Sequence, residues 1–348
     1  MKIVVACGGT GGHTFPGLAV AEELLKRGHE VVVWTSGRSI EESVMKRWTG
    51  EVFATGAKPL QLKNLIAIIR SFFRCRKELR QARPDAMLAM GSYSSLPPVL
   101  AARLSGIKVY LHEANTVPGK AVDFLSRFAD KVAISFKSST RYLPNAQTVL
   151  TGLPIREDIV NGKRFDFIPP NTFTIFVTGG SQGAHAVNEL TCKALVMLAK
   201  EVEKPIYIIH QTGAKDESWV KAEYDQAGIP SRVHAFEREM ANAFASADIV
   251  IARAGASTCF ELAACAKPAL FIPLPTAMRN HQHFNAEAFA ICGAADEGAQ
   301  DRLNPRSLER YLAALMTNDN KRSRMSEKMR ELSLPNASAL VADMIEGK

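Results

Sequence analysis

The sequence predicts an α/β protein made of two tandem domains, each built on a parallel sheet. Its 348 residues are too many for one ordinary core and fit two domains of about 150–170 residues. Short apolar runs alternate with helical patterns along the whole chain, as parallel sheets with crossover helices require. A strand, a glycine-rich loop and a helix follow one another at the start, and this order begins again near the middle.

The first half opens with an apolar strand at 3–6, which runs into a loop at 8–12 that contains four glycines. A helix is predicted from Pro16 to Arg27, where apolar residues recur with helical spacing, and Gly28 ends it. Further buried strands are predicted at 30–35, 86–90, 108–112 and 131–135.

The second half repeats this organisation, with a strand at 173–178, a loop at 179–184 and a helix at 186–198. Further strands are predicted at 206–211, 233–236, 249–252 and 269–273. The stretch 152–170 contains three prolines and several polar residues, which is typical of a linker. We therefore expect domains at 1–157 and 158–334.

Composition excludes several classes of protein. Apolar residues make up 47% and charged residues 22%, which indicates a folded globular chain. The six cysteines are scattered without a CxxC pair, which disfavours a metal cage or a disulfide framework and favours a reducing compartment. No apolar run reaches the length of a membrane span, and the first residues do not resemble a signal peptide, so we expect a cytoplasmic protein. A net charge of +8 fits nucleic acid, an anionic membrane or a phosphorylated substrate.

The first glycine loop, 8–12, would let the backbone approach a phosphate or an acceptor closely. Thr14 stands where GxGxxG needs its third glycine, and no Gly-Lys-Ser/Thr follows, so an NAD oxidoreductase and an ATP-binding loop are disfavoured. The structural alternative is a plain tight turn. His13 follows the loop and is either a general base at the strand ends or a neighbour of the helix cap.

Two loops of the second half have the chemistry of an anion site. Ser181 can donate a hydroxyl to a phosphate from the loop at 179–183. Small residues follow the strand at 249–252, and Ser257 and Thr258 can cap the next helix or bind an anion. Glu261, one turn further, could bind both hydroxyls of a ribose. The alternatives are a structural turn for the first loop and a solvated glutamate for Glu261.

A polar cluster at 281–285 suits sugar hydroxyls, because the Gln282 amide both donates and accepts hydrogen bonds. The histidines at 281 and 283 do not share a helix face, which disfavours a zinc site. No Asp-x-Asp triplet occurs in the chain, which disfavours a cation bound to a diphosphate. We therefore expect neither a metal nor a cofactor.

A basic amphipathic stretch spans 58–83, where eight Lys and Arg residues face a single acid, Glu78. Large apolar side chains are interleaved with them. They include Leu60, Leu62, Leu65, Ile66, Ile68, Ile69, Phe72 and Phe73. Such a helix can lie on an anionic membrane, or it can be an ordinary domain helix whose apolar face is core.

Eight segments together resemble one bacterial family, the UDP-N-acetylglucosamine–N-acetylmuramyl-(pentapeptide) pyrophosphoryl-undecaprenol N-acetylglucosamine transferases, known as MurG. They occur in the family's order and cover nearly the whole chain. The segments are GGTGGHTFPGLAVAEEL (8–24), GSYSSLPPVLAA (91–102), LHEANTVPGK (111–120), TGLPIR (151–156), GGSQGAHAVNE (179–189), HQTG (210–213), ADIVIARAGASTCFEL (247–262) and HQHFNA (281–286). The chain departs from the usual pattern at Ser92, Ala114 and Glu237.

The resemblance implies the GT-B fold, in which two Rossmann-like domains with parallel sheets face a central cleft. It implies an inverting enzyme that moves GlcNAc from UDP-GlcNAc to the C4 hydroxyl of the MurNAc of lipid I, giving lipid II, without a dedicated metal motif. The implied partners are UDP-GlcNAc, lipid I and an anionic membrane surface, with no nucleic acid. The implied location is peripheral, on the cytoplasmic face of the bacterial cell membrane. The family also returns its last helix, here about 335–348, to the first domain.

The resemblance also assigns residues. It implies that His13 and Glu113 serve catalysis, with His13 as the base, and that Glu237 touches the uracil through its backbone. The other residues that it places against UDP-GlcNAc are Thr10, Gly11, Gly12, Asn115, Arg156, Ser181, Ala256, Ser257, Thr258, Cys259, Phe260, Glu261 and Gln282. Three other classes remain as alternatives: a related GT-B transferase with another acceptor, a UDP-GlcNAc 2-epimerase and a non-catalytic nucleotide-sugar sensor.

Overall fold

The computed structural model describes residues 1–9, 11–38, 41, 45 and 48–348. The chain forms two compact units. The first unit contains Met1–Arg156 together with Leu334–Lys348, and the second contains Glu157–Ser333. The sequence put the boundary after residue 157, one residue from the position in the structure.

The first unit is built on a parallel sheet of seven described strands, in the order β3-β2-β1-β4-β5-β6-β7. The strands are β1 (Lys2–Ala6), β2 (Glu30–Thr35), β3 (Glu51–Ala54), β4 (Ala86–Ala89), β5 (Lys108–Glu113), β6 (Lys131–Ile134) and β7 (Thr148–Leu150). Side chains alternate between the two faces of each strand, and both faces are covered by helices. In β1, for example, Ile3 and Val5 belong to one buried cluster while Val4 and Ala6 belong to the other.

The helices of the first unit divide between these two faces. They are α1 (Gly11–Lys26), α2 (Leu65–Ala82), α3 (Leu96–Arg103), α4 (Lys120–Leu125) and, from the end of the chain, α12 (Ala337–Glu346). Residues of α1 and α12 share one core cluster. Residues of α2, α3 and α4 contribute to the opposite cluster.

Helix α1 begins at Gly11, five residues before the start at Pro16 that the sequence suggested. A proline inside a helix costs one hydrogen bond to the carbonyl four residues earlier, here that of Gly12. Gly12 is exposed, so water can satisfy this carbonyl and the helix tolerates Pro16. His13 consequently lies in the first turn of α1.

The last helix, α12, is attached to α1 by charge as well as by apolar packing. The Arg27 guanidinium donates to Asp343 at 2.6 Å and to Glu346 at 3.0 Å. His29 contacts the other oxygen of Glu346 at 2.7 Å. Hydrogen bonds from Lys348 and His29 bring the pKa of Glu346 down to about 2. The end of the chain therefore belongs to the first unit's core.

The second unit has six described parallel strands, in the order β10-β9-β8-β11-β12-β13. They are β8 (Phe173–Thr178), β9 (Ile206–Gln211), β10 (Ser231–His234), β11 (Ile249–Ala252), β12 (Ala269–Phe271) and β13 (Ala295–Glu297). Its helices are α5 (His185–Glu201), α6 (Glu217–Gln226), α7 (Met240–Ser246), α8 (Ala256–Ala264), α9 (His281–Ala290), α10 (Pro305–Met316) and α11 (Asp319–Leu332). Numbered within the unit, the strand order is the 3-2-1-4-5-6 of a Rossmann sheet.

The sequence pattern does not predict β3, β7 or β13, and it predicts β10 two residues too late. All four are edge strands. The edge of a sheet is paired on one side only and is less buried, so its strands do not show the continuous apolar runs of central parallel strands. Among the described helices, none is long and apolar enough to cross a membrane.

Candidate functional site

The loops that the sequence predicts as binding sites occupy equivalent positions in the two sheets. In an open parallel sheet, ligands bind beyond the carboxyl ends of the strands, where the strand order reverses. That point lies between β1 and β4 in the first unit and between β8 and β11 in the second. The glycine loop and His13 follow β1, Ser181 follows β8, and the residues from Ala256 onward follow β11.

His13 is held in one orientation by the loop that follows β4. Its Nδ1 lies 2.7 Å from the backbone oxygen of Met90. Because a carbonyl oxygen only accepts, Nδ1 carries the proton of the neutral ring and Nε2 keeps its lone pair. No described residue hydrogen-bonds Nε2. Burial lowers the pKa of His13 and outweighs the opposing effect of the Met90 carbonyl, so the ring stays neutral at physiological pH.

The first glycine loop is fixed from two sides. The buried Glu41 carboxylate, 2% exposed, accepts from the Gly9 N–H at 2.6 Å and from the Ser36 N–H at 2.9 Å. The hydroxyls of Ser92 and Ser94 both donate to the Gly8 carbonyl. Gly11 and Gly12 begin α1 directly after this loop. Thr10, which the sequence also assigned to the site, lies outside the described residues.

Glu113 is the last residue of β5 and is 3% exposed. Its Oε1 accepts from the Asn115 N–H at 2.8 Å and from the Asn115 side-chain amide at 3.2 Å. Its Oε2 accepts from the Gly119 N–H at 2.9 Å. Burial raises the pKa of Glu113 to about 7, against the effect of these donors. Both carboxylate oxygens therefore hold the loop that presents Asn115.

Arg156 is the last residue of the first unit, and its guanidinium lies over the ring of Phe15, 5.2 Å from the ring centre. Phe15 belongs to the first turns of α1, two residues after His13. The contact therefore places a permanent positive charge on the helix that carries the imidazole.

In the second unit, Ser181 is exposed in the turn between β8 and α5. The buried amide of Gln211 donates to the Gly180 carbonyl at 2.8 Å and to the Thr178 hydroxyl at 3.1 Å. Gly183 has a φ of +72°, and a Cβ there would lie 1.9 Å from the backbone oxygen of Thr212, so only glycine fits. The turn is therefore rigid beneath an exposed hydroxyl.

Glu237 follows β10, and its side chain is turned away from solvent. Arg232 binds it in bidentate fashion, with Nε 2.8 Å from Oε2 and Nη2 3.0 Å from Oε1. Burial would raise the pKa of Glu237, but the hydrogen bonds from Arg232 and the Glu239 N–H lower it overall. The Glu237 N–H is engaged as well, because it donates to the Gln211 side-chain oxygen at 3.0 Å.

Helix α8 begins with an uncapped turn. Its N-cap is Gly255, and no side chain among the described residues caps it. Ser257 and Thr258 are therefore not the caps that the sequence suggested, because they lie inside the first turn of the helix. The N–H groups of Ala256, Ser257 and Thr258 are left without carbonyl partners inside the helix, which makes this end suitable for a phosphate. Cys259 and Phe260 are buried, and the Cys259 N–H already donates to the Gly255 carbonyl at 3.0 Å.

Helix α9 is fixed to the loop before α8. The buried Asn285 amide donates to the Ala254 carbonyl at 3.1 Å. At the start of α9, the Gln282 side-chain oxygen accepts from the Leu274 N–H at 2.9 Å, which directs its amide group. Glu261 lies on α8 and is partly exposed. These contacts hold Gln282 and the start of α8 in one rigid assembly.

Three buried polar residues near these loops were not among the predicted site residues: Glu41, Gln211 and Arg253. Arg253 lies just before the loop that leads to α8, and its guanidinium donates to the carbonyls of Ile272 and Pro273 at 3.0 and 2.9 Å. Burial lowers the pKa of Arg253. Gln211 and Arg253 stand within the segments that carry the resemblance, which is a signal for them, whereas Glu41 has no comparable signal.

Helix α2 leaves an apolar stripe in solvent. It buries Ser71, Cys75 and Leu79 on one narrow face. The stripe on the opposite side continues from the turn before the helix, and Leu62 is 95% exposed. Its members are Leu62, Leu65, Ile66, Ile69 and Phe73. Exposed basic residues flank the stripe, including Arg70, Arg74 and Lys77.

Comparison with known proteins agrees with these loops and sheets. The glycosyltransferase family 28 N-terminal domain matches residues 3–134, and the family's C-terminal domain matches residues 174–341. The UDP-N-acetylglucosamine–N-acetylmuramyl-(pentapeptide) pyrophosphoryl-undecaprenol N-acetylglucosamine transferase of Trichlorobacter lovleyi is 37% identical, covering 100% of this chain and 98% of that protein. The crystal structure of Acinetobacter baumannii MurG matches with a TM-score of 0.82 and 32% identity over 100% of this chain and 99% of that chain.

A UDP-N-acetylglucosamine 2-epimerase structure from Listeria monocytogenes also matches, with a TM-score of 0.76 over 100% of this chain and 97% of that chain. Its identity is 13%, so this likeness concerns the fold alone. The two Rossmann-like units and the family 28 signatures define a GT-B glycosyltransferase. Within that class, the chain belongs to the MurG family.

Proposed function

We propose that this protein transfers GlcNAc from UDP-GlcNAc to the C4 hydroxyl of the MurNAc of lipid I, with inversion at the anomeric carbon, and so forms lipid II. The observation that carries this proposal is the 37% identity, over the whole chain, to a relative that bears the name of this transferase. The geometry of the loops supports each chemical step.

Donor binding is assigned to the second unit. The first turn of α8 presents N–H groups to the diphosphate, and Ser181 adds a hydroxyl donor. Glu261 binds the ribose hydroxyls, and the Gln282 amide binds hydroxyls of GlcNAc. Negative charge grows on the leaving UDP as the bond from the anomeric carbon to the phosphate oxygen breaks. Fixed N–H groups that already point at this charge stabilise the transition state without reorganisation.

The base is assigned to the first unit. The C4 hydroxyl of the acceptor gives its proton to Nε2 of His13 while its oxygen bonds to the anomeric carbon. Met90 holds Nδ1–H, so the lone pair of Nε2 has a fixed direction. Gly11 and Gly12 open the same helix and leave room for the acceptor beside the imidazole. Arg156 adds positive charge near this helix.

Glu113 is assigned a positioning role rather than a direct catalytic one. Both of its oxygens are occupied by N–H groups of its own loop. The carboxylate therefore sets the direction of Asn115, which would contact the donor sugar. A proton acceptor would need an oxygen directed at the reacting hydroxyl.

The test is a transfer assay on the full chain with UDP-GlcNAc and a short-chain lipid I analogue. The proposal predicts a disaccharide product and UDP in equal amounts, both dependent on the acceptor. Incubation without the acceptor should leave UDP-GlcNAc unchanged. Conversion of UDP-GlcNAc to its C2 epimer in that control would identify an epimerase instead, and would contradict the proposal.

The proposal includes a location at the cytoplasmic face of the bacterial membrane, where the lipid-linked acceptor is found. The exposed stripe of α2 and its flanking cations supply the docking surface. Apolar side chains would enter the headgroup region while the cations contact anionic lipid. Each cation near such a surface contributes about 1 kcal/mol, and salt screens the attraction.

The membrane test replaces Arg70, Arg74 and Lys77 of α2 by glutamine. This variant should sediment less with anionic vesicles at low salt, and it should keep its activity on a short-chain, water-soluble acceptor. A matched control replaces three exposed cations of the second unit, Lys215, Lys221 and Arg324, and changes the net charge equally. Equal losses of sedimentation in the two variants would indicate general charge attraction and would contradict docking by α2.

A further inference from the structure

Gln211 stands at the carboxyl end of β9, is 1% exposed and contacts two separate segments through one amide group. Its nitrogen donates to the Gly180 carbonyl at 2.8 Å and to the Thr178 hydroxyl at 3.1 Å. Its oxygen accepts from the Glu237 N–H at 3.0 Å. Its nitrogen and its oxygen therefore bind two different segments, the turn that carries Ser181 and the segment that follows β10.

That segment, residues 236–239, is here called the base segment. It is held from the other side by Arg232, which binds the Glu237 carboxylate in bidentate fashion and also contacts Glu239 at 2.8 Å. The Glu237 carboxylate in turn accepts from the Glu239 N–H at 2.8 Å. The Arg232 guanidinium lies 4.7 Å from the ring centre of Phe165, which fixes the arginine itself.

The base segment is thus fixed through two different groups of Glu237. Gln211 holds the N–H of this residue, and Arg232 holds its carboxylate. The side chain of the preceding residue, Phe236, remains 54% exposed, so the segment reaches the surface beside the turn of Ser181. Nothing in a simple structural turn requires an arginine and a buried amide to fix the same residue.

We propose that Gln211 and the Glu237 carboxylate are positioning groups that set the selectivity of the donor site for uracil, an inference that rests on the proposed function. Uracil presents an N–H donor at N3 and an oxygen acceptor at C4, whereas cytosine presents an acceptor and a donor at these positions. Backbone groups of the base segment distinguish these opposite patterns only while they stay fixed. A mismatched base leaves buried polar groups unpaired, and this penalty disappears when the segment can move.

The experiment measures dissociation constants of UDP and of CDP by calorimetry on the full chain. The wild type should prefer UDP. Gln211→Ala should reduce the ratio of the two constants by about tenfold, and Glu237→Gln by about threefold, since the glutamine oxygen can still accept from Arg232 Nη2 and the Glu239 N–H, whereas its amide nitrogen cannot accept from Arg232 Nε. For Glu237→Gln, the KM for UDP-GlcNAc should rise by a larger factor than that by which kcat falls, because the substitution acts on donor binding.

Glu239→Gln is the matched control, because it removes a carboxylate from the same arginine without touching Glu237's bond to Gln211. The ratio of its dissociation constants for UDP and CDP should equal that of the wild type. If Gln211→Ala does not fold, Glu237→Gln decides the matter alone. A wild type that transfers GlcNAc but binds UDP and CDP equally overturns the inference, as do variants that keep the full ratio. A wild type that neither binds UDP nor transfers GlcNAc overturns the proposed function as well.

Discussion

The two glycine loops of the molecule follow the first strand of their sheets and open a helix, yet they are fixed through opposite backbone groups. In the first unit, the Glu41 carboxylate accepts from the N–H of Gly9. In the second, the Gln211 amide donates to the carbonyl of Gly180. A carboxylate beside the first loop repels anions, whereas a neutral amide beneath the second leaves the neighbouring N–H groups attractive to them.

Under the proposed function, this difference suits the two units to two different roles. In the first unit, the His13 imidazole has an Nε2 lone pair of fixed direction. It lies beside a loop that does not strongly attract anions. The second unit adds an uncapped helix start at Ala256 and the Ser181 hydroxyl. The first unit is therefore suited to proton removal from a neutral hydroxyl, and the second to binding a diphosphate.

The largest effect is expected for His13→Ala. Loss of the base should lower kcat by about 10²–10⁴-fold and leave UDP-GlcNAc affinity nearly unchanged. Steady-state kinetics and calorimetry on the same preparation check this. A parallel loss of donor affinity would place His13 in the donor site and would break the division between the units.

The next effect concerns the pH dependence of stability through Glu113. Its pKa is about 7 in the folded protein. Because an unfolded glutamate titrates near about 4.3, the folded chain holds the proton longer, and the contribution of Glu113 to the free energy of unfolding should fall by roughly 3 kcal/mol between about pH 4 and pH 7. Above that range this contribution should be constant. Chemical denaturation across this range should show the fall as the difference between the free energies of unfolding of wild type and Glu113→Gln, because the buried histidines titrate in both proteins.

A suitable control is Glu30→Gln, which alters an exposed carboxylate in the same unit. It should keep the wild-type dependence on pH. If Glu113→Gln shows the same pH dependence as the wild type, the Glu113 carboxyl is not the group that titrates. Its proposed role in fixing the Asn115 loop then loses support.

Glu261→Ala should give a smaller effect, confined to donor binding. Loss of the ribose contact should weaken UDP-GlcNAc binding by about 1–3 kcal/mol, because buried hydroxyls would be left unpaired. Turnover at saturating donor should change little. Calorimetry measures the affinity, and a donor affinity equal to that of wild type would remove Glu261 from the site.

The smallest effect is expected for Ser92→Ala. Its hydroxyl donates to the Gly8 carbonyl at 2.6 Å, but Ser94 donates to the same oxygen. The single variant should therefore lose about 0.5–1.5 kcal/mol of stability, the value of one hydrogen bond. The double variant Ser92→Ala/Ser94→Ala should lose more than the sum of the two single changes. Thermal or chemical denaturation of the three variants decides this, and strict additivity would contradict a shared role.

Central strands were predictable because they are buried on both faces. The runs at Phe173–Thr178, Ile206–Gln211 and Ile249–Ala252 have the predicted bounds. The edge strands Thr148–Leu150 and Ala295–Glu297 were not predicted, because their short sequences mix polar and apolar residues. Such segments become strands by pairing with a neighbouring strand, and the local sequence pattern does not show this. Local sequence thus predicted the centre of each sheet better than its rim.

The candidate site divides in the same way. Glycine loops and polar residues directly after strands, such as His13 and Ser181, carry a local signal. Glu41 and Gln211 act on loops 32 and 31 residues away in sequence, so their role depends on the fold. The helix cap at Gly255 was also misjudged, because Ser257 and Thr258 are typical caps by residue type alone.

The central claim, that the first unit supplies a neutral histidine base, is tested most directly by the pH dependence of kcat at saturating substrates. Burial lowers the pKa of His13. The base is active when unprotonated, so kcat should be constant near neutral pH and should fall on acidification with a midpoint below the ordinary histidine value of about 6.5. The residual activity of His13→Ala should lack this fall. A midpoint above about 6.5, or the same acidic fall in His13→Ala, would contradict the account.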